Sequence, residues 1–244
     1  MFKDAVEAND DSQLGAAQTR KVDRIIDLAQ VPAGGSLVDI GCGYGFLVGQ
    51  ARKRGIAARG LCNSEVMQRK ASEAHGPFFD RMDYRELPAT ASYDAVTAVE
   101  MIEAVTAAYL PAFAKAVSGA LKPGGRAVIQ VIHTFAWNNP AGRKKEVDIG
   151  STFVTTHIFP GQQIPHLDWI HEAFHGQGMV LESSELNGQA YGQTLRAWRH
   201  NLDQQAHLFD ERMVRKFRYY FAWCQAGFEA GLLHLSRVVF TKPE

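Results

Sequence analysis

Apolar positions along the chain recur with two periods, and the alternation between them lays out the elements. From Leu14 to Gln30 they fall at Val22, Ile25, Ile26 and Ala29, one face of a helix, which Pro32, Gly34 and Gly35 close. Ser36 to Ile40 is an apolar run of strand length, followed by a glycine-rich turn over Gly41 to Gly45 and a helix over Phe46 to Arg54 that Gly55 ends. The same beat predicts strand Ala57 to Leu61, helix Glu65 to Ala74, and strands near Phe78 to Arg81 and over Ala95 to Val99. A helix over Tyr109 to Leu121 then stops at Lys122-Pro123-Gly124-Gly125, and Arg126 to Ile132 is a strongly apolar strand. Strands alternating with helices at this spacing predict a parallel sheet covered on both faces, a doubly wound α/β domain.

Two late strands, near Met179 to Leu186 and Leu235 to Thr241, bring the expected sheet to seven strands, mostly parallel. Residues 133–178 break the rhythm with aromatics, histidines, prolines and glycines, and are expected to form an inserted helical lid. Residues 193–231 read as helical, aromatic and basic, a second substrate-side piece. Both are expected over the C-terminal ends of the strands, where open α/β sheets bind ligands. The whole chain, 1–244, is read as a single domain with these additions.

Composition narrows the function. Of 244 residues, 26 are basic and 26 acidic, and this balance argues against nucleic acid as the main partner. No run approaches a membrane span and Met1 to Arg20 has no secretion-signal core. The three cysteines, Cys42, Cys62 and Cys224, are widely spaced and form no CxxC, so a reduced cytoplasmic setting is the expectation.

The chemistry concentrates first in Val38 to Gly45, VDIGCGYG: an apolar strand, Asp39, then Gly41, Gly43 and Gly45 opening a helix. Glycines there let backbone approach a ligand closely, and the helix N-terminus favours a negative group. A dinucleotide site would need G-x-G-x-x-G and an acid closing the second strand. Here the spacing is G-x-G-x-G, and that strand closes on Gly60-Leu61-Cys62-Asn63-Ser64. The Asp39 motif resembles the first motif of class I methyltransferases that use S-adenosylmethionine (SAM), a Rossmann-like fold in which this loop cradles the methionine part of SAM. By the same resemblance Asp83 falls in the adenine-contacting loop, and Ser64 and Gln68 stand where polar contacts to the ribose are expected.

A narrower resemblance runs from about residue 20 to the end. AVEMIEAV (Ala98 to Val105), LKPGG (Leu121 to Gly125), HIFPGQQIPH (His157 to His166), AYGQTLRAW (Ala190 to Trp198), FDERMVRKFRYYFAWCQAGF (Phe209 to Phe228) and VVFTKP (Val238 to Pro243) occur in the order they take in the cyclopropane fatty acid synthase family, mycolic acid cyclopropane enzymes included. The resemblance implies methyl transfer from SAM to the double bond of an unsaturated acyl chain. It also implies a bound bicarbonate as base, held by a cysteine, a glutamate, a histidine, an isoleucine backbone and a tyrosine. Position by position, Glu103 matches the glutamate, Ile132 the isoleucine and Tyr191 the tyrosine. Gln130 stands where the family has its histidine, and Met1 to Arg20 carries no cysteine. These departures bear on bicarbonate and on ring closure more than on methyl transfer. An amine or small natural product is the alternative acceptor, and a SAM-binding partner without activity is a third reading.

The residues also have plainer readings. Glu103 would serve as a helix cap, Tyr191 as a half-buried aromatic, and Gln130, an amide inside an apolar strand, needs partners whether or not these include substrate. His171-Glu172-Ala173-Phe174-His175 matches the HExxH zinc signature, but in this setting it reads as a helix of the lid, and no metal is expected. Arg212, Arg215, Lys216 and Arg218 form either a solvated face whose alkyl stems pack on apolar surface or a contact for phospholipid headgroups or an acyl-carrier protein.

Overall fold

The computed structural model describes residues 11–134 and 149–244. Seven strands, β1 (Ser36–Ile40), β2 (Ala57–Cys62), β3 (Phe79–Arg81), β4 (Tyr93–Val99), β5 (Leu121–His133), β6 (Val180–Leu186) and β7 (His234–Thr241), form one sheet. Their order is β3-β2-β1-β4-β5-β7-β6. All pairings are parallel except those of β7, which runs antiparallel to both β5 and β6. The expected doubly wound sheet is present. Strand order reverses between β1 and β4, so the crevice beyond their C-terminal ends is where a ligand has access to the sheet.

Successive strand residues point to opposite faces, and both faces are apolar. Val38, Val96, Ile129 and Val238 enter one core cluster, against Phe113 and Val117 of α4 (Leu110–Ala120). Leu37, Ala95, Val128 and Val239 enter the other. There they meet Ile25 and Ile26 of α1 (Asp11–Ala29) and Val48 of α2 (Phe46–Lys53). Helix α3 (Glu65–His75) is capped by Ser64, whose hydroxyl accepts from the Met67 N–H. The LKPGG turn is absorbed into the start of β5 as an irregularity, the pairing with β4 stepping from Leu121 to Arg126.

The segment expected to form an inserted lid, residues 133–178, divides between two settings. Part of it, residues 135–148, lies outside the described residues. Of the remainder, α5 (Ile149–His157) packs against α8 (Glu211–Glu229), but α6 (Leu167–His175) belongs to the layer covering the sheet. Leu167, Ile170, Ala173 and Phe174 are buried in the first core cluster, and Phe174 stacks on Phe240 of β7 at 4.3 Å and 7°. Residues 193–231 divide into α7 (Tyr191–Gln204) and α8, with a 3-10 turn at Ala206–Leu208 between them. Asp210 caps α8 by accepting from the Arg212 and Met213 N–H groups. Leu195, Cys224, Phe228, Leu233 and Leu235 form a separate cluster under this helical pair.

Candidate active site

Two cavities meet along one short segment. The first, about 390 Å³, is lined at the C-terminal ends of β1 and β2 and the turns after them by Ile40, Gly41, Gly43 and Leu61 to Ser64, and also by Met67, Met82, Tyr84, Met101 and Ala104. The second, about 320 Å³, lies under α5, α7 and α8 and is largely aromatic and aliphatic, with Phe159, Tyr191, Trp198, Phe217, Tyr220 and Phe228 in its wall. Residues 100–104 divide them: Met101 and Ala104 face the glycine cleft, while Glu100 and Glu103 face the aromatic cavity.

The glycine turn has the open form a ligand requires. Gly41, Gly43 and Gly45 all take left-handed backbone, at φ +79°, +55° and +82°. At Gly43 an added Cβ would meet nothing within 4 Å, so the empty space belongs to the cleft. At Gly45 it would strike Phe79 at 2.4 Å, so that glycine lets α2 close on the sheet. Asp39 lies buried behind the turn, accepting from the Thr97 hydroxyl at 2.7 Å. Burial pushes its carboxyl up to about 7.

Ser64 lines the cleft beside its capping role. Gln68 does not: its amide donates to the Phe79 carbonyl at 3.0 Å and to Ser72 at 3.3 Å, tying α3 to β3. Asp83 accepts from the Arg85 backbone and guanidinium, which hold its carboxyl down to about 2, and its neighbours Met82 and Tyr84 line the cleft.

At the foot of the aromatic cavity the polar groups are few and interlocked. Glu103, 4% exposed, accepts from the Ile132 N–H at 2.6 Å through Oε1. Its Oε2 is buried and has no hydrogen-bond partner among the described residues. Burial first, then the neighbouring charge of Glu100, raise this carboxyl to about 8. Tyr191, at the start of α7, donates its hydroxyl to Glu100 Oε2, and burial together with Glu100 push its own ionisation well above 10.

Gln130 does not reach the cavity. It is fully buried in β5, its amide N–H donating to Glu100 Oε1 at 2.8 Å and its oxygen accepting from Arg237 Nε at 2.9 Å. Its partners are protein groups, and its amide N–H engages one oxygen of Glu100.

Glu100 and Arg237 are the residues that reading the sequence missed. Arg237 lies opposite Gln130 in the β5–β7 register and opposite Glu185 in the β6–β7 register, making one polar row across apolar strands. An arginine and a glutamine, each isolated in an apolar run, are the signal that would have paired them. Glu100 is visible only as a second acid three residues before Glu103. Lys21 on α1 joins the same field: burial lowers its pKa while Glu100 and Asp39 oppose that shift.

The HExxH match forms no metal centre among the described residues, where no cluster of ligating side chains occurs. His171 instead packs edge-on to Phe240 at 5.9 Å.

A family model described as mycolic acid cyclopropane synthetase matches residues 1–238. The chain belongs to that family. It is 34% identical over 236 residues to the tuberculostearic acid methyltransferase UfaA1 of Mycobacterium tuberculosis, covering 91% of this chain and 53% of the relative. It is 30% identical over 245 residues to a probable fatty acid methyltransferase of Pseudomonas putida, covering 96% of this chain and 61% of the relative. The chain thus spans between half and two thirds of the length of these two relatives. Among solved structures, the cyclopropane synthase MmaA2 from Mycobacterium tuberculosis superposes with a TM-score of 0.86 at 19% identity, over 96% of this chain and 87% of that one. A mycolic acid cyclopropane synthase, CmaA1 complexed with SAH and CTAB, gives 0.85 at 20% identity, over 99% and 90%. The family's sheet and helical cover are therefore those described above. No described helix is long and apolar enough to cross a membrane.

Proposed function

We propose that this family member is a SAM-dependent methyltransferase whose acceptor is the double bond of an unsaturated acyl chain. The observation that carries this reading is the shared wall at residues 100–104, with a glycine cleft on one side and an apolar, aromatic cavity on the other. The cleft fits SAM: Gly43 leaves open space, Asp39 stands behind the turn, and Ser64 and Asn63 supply polar groups where the ribose would lie. Bound there, SAM supplies an electrophilic methyl group on a sulfonium.

An alkene is a weak nucleophile, so the protein must exclude water and hold the double bond in line with that methyl. Val154, Phe159, Ile164, Trp198 and Phe221 present the dry wall such a chain needs. Aromatic faces also favour the positive charge that develops on the acceptor carbon. One of the relatives above is named a tuberculostearic acid methyltransferase and another a probable fatty acid methyltransferase, which supports the acyl class.

The test is to express the chain in a bacterial host and profile total fatty acids by mass spectrometry beside an empty-vector control. An acyl species heavier by one methylene is expected, and its fragmentation distinguishes a ring from a branch. Methyl label from SAM appearing instead on an amine or other soluble acceptor would replace the acyl reading with the small-molecule one. SAM binding with no transfer to either class would leave only a binding protein.

A further inference from the structure

We propose that Glu100 is the catalytic base of this site, the carboxylate that receives the proton released when the acyl chain is methylated, with no bound bicarbonate taking part. This rests on the acyl-chain reading above. In the reaction the alkene π pair forms the new C–C bond to the methyl carbon, and the C–S bond breaks with its pair remaining on sulfur. A C–H pair beside the resulting cation then closes to a new double bond or a ring, and its proton passes to Glu100. Glu100 returns that proton to solvent before the next turnover.

Three observations support the assignment. Glu100 lines the acceptor cavity and accepts at both oxygens, from Gln130 at Oε1 and Tyr191 at Oε2, the pattern of a carboxylate without its proton. The orientation is enforced, because Arg237 donates to the Gln130 oxygen and so turns the Gln130 amide N–H toward Glu100. Finally, Glu100 takes left-handed backbone at φ +51°, an uncommon conformation for a residue with a Cβ, held by its N–H to the Gln130 carbonyl at 2.8 Å. Such strain is retained where the surroundings fix a side chain for a purpose.

Glu103 is the weaker candidate for base. Burial and the neighbouring Glu100 raise its carboxyl to about 8, which favours the protonated form, and its Oε1 is already engaged by the Ile132 N–H. Bicarbonate does not fit either. The Ile132 N–H is taken by Glu103, and the Tyr191 hydroxyl and a Gln130 N–H by Glu100, so the donors an anion would need already serve carboxylates. A second anion beside Glu100 would also meet like charge.

The experiment uses the full chain as wild type, Glu100→Gln and Glu100→Asp, with methyl-labelled SAM and vesicles of monounsaturated phospholipid in carbon-dioxide-free buffer, with and without added bicarbonate. SAM and bicarbonate binding are measured separately by calorimetry. For the wild type, the same product yield is expected in both buffers, with no bicarbonate binding. For Glu100→Gln, transfer should fall by about a hundredfold or more while SAM affinity stays within about twofold, and Glu100→Asp should recover part of the loss. Glu100→Gln within about threefold of wild type, or wild-type activity that rises with bicarbonate, would overturn the assignment. So would loss in both variants together with weakened SAM binding, which marks a structural role. Wild-type protein that binds SAM yet forms no acyl product removes the acyl reading itself, and this assignment with it.

Discussion

Gln130 and Arg237 face each other across the β5–β7 pair, and the Arg237 Nε–H donates to the Gln130 side-chain oxygen at 2.9 Å inside the sheet. Arg237 is 1% exposed and Gln130 fully buried, so each answers a desolvated polar group that would be costly alone. Gln130→Met should therefore lower unfolding stability by about 2–4 kcal/mol, because it leaves part of a buried guanidinium unanswered. Replacing both, Gln130→Met with Arg237→Met, should cost clearly less than the sum of the single changes. Denaturant midpoints at constant slope measure this, and strict additivity would show that the two side chains do not depend on each other.

Two buried carboxyls give the fold a pH dependence whose sign can be worked out. Asp39 and Glu103 are raised from 3.8 and 4.5 to about 7 and about 8, so each holds its proton more tightly folded than unfolded. Their stability contribution is fully present below the unfolded values and is lost as pH rises through the folded ones. His133, lowered from 6.5 to about 4, acts in the opposite sense but only below 6.5. Between pH 6.5 and 8, stability of the ligand-free protein should fall, by at most about 1.4 kcal/mol per pH unit for each carboxyl. Glu103→Gln should flatten the upper part of that fall in a thermal-melt series. An unchanged slope would mean that Glu103 titrates as an ordinary carboxylate.

The glycine turn separates two kinds of loss. Gly43→Ala places a methyl in open cleft, so its cost to stability is the left-handed backbone alone, about 1–2 kcal/mol, while SAM affinity should drop at least tenfold. Gly45→Ala drives a methyl into Phe79 and should lose more stability than Gly43→Ala. Calorimetric SAM titration beside thermal melts distinguishes them. Unaltered SAM binding by Gly43→Ala would place the cofactor elsewhere.

The sheet was legible because its strands are buried on both faces and its turns carry glycine or proline, so local text already agrees with the fold. The Asp39 turn was legible for the same reason, since backbone geometry demands glycine at fixed steps. Glu103, Ile132 and Tyr191 were placed at one cavity through family resemblance, and the structure brings all three to its wall. Glu100 escaped because its meaning depends on Tyr191, 91 residues away, and on an amide oriented from another strand. Local patterning cannot carry that relation. Gln68 shows a local effect: a polar residue in the first turns of a helix after a ligand loop need not face the cleft, and this one turns to the Phe79 carbonyl.

Helix α6 shows how residue type concealed packing. Its apolar positions Leu167, Ile170 and Phe174 keep the i, i+3, i+7 spacing of a helix on a core, but His171, Glu172 and His175 beside them suggested a lid or a metal motif. The stack of Phe174 on Phe240 decides between these, because it fixes α6 to β7. Phe174→Ala should cost about 3–5 kcal/mol, the loss of a large ring from a closed core. Phe217→Ala, on the cavity wall of α8, should cost about 1 kcal/mol, because it enlarges space that is already open. Its effect should appear in function instead, as a shift toward bulkier acyl chains when vesicles of differing unsaturated lipids compete. Equal destabilisation by the two variants would return α6 to the lid; a large difference places it in the framework that holds the strand ends, and Glu100 with them, in position.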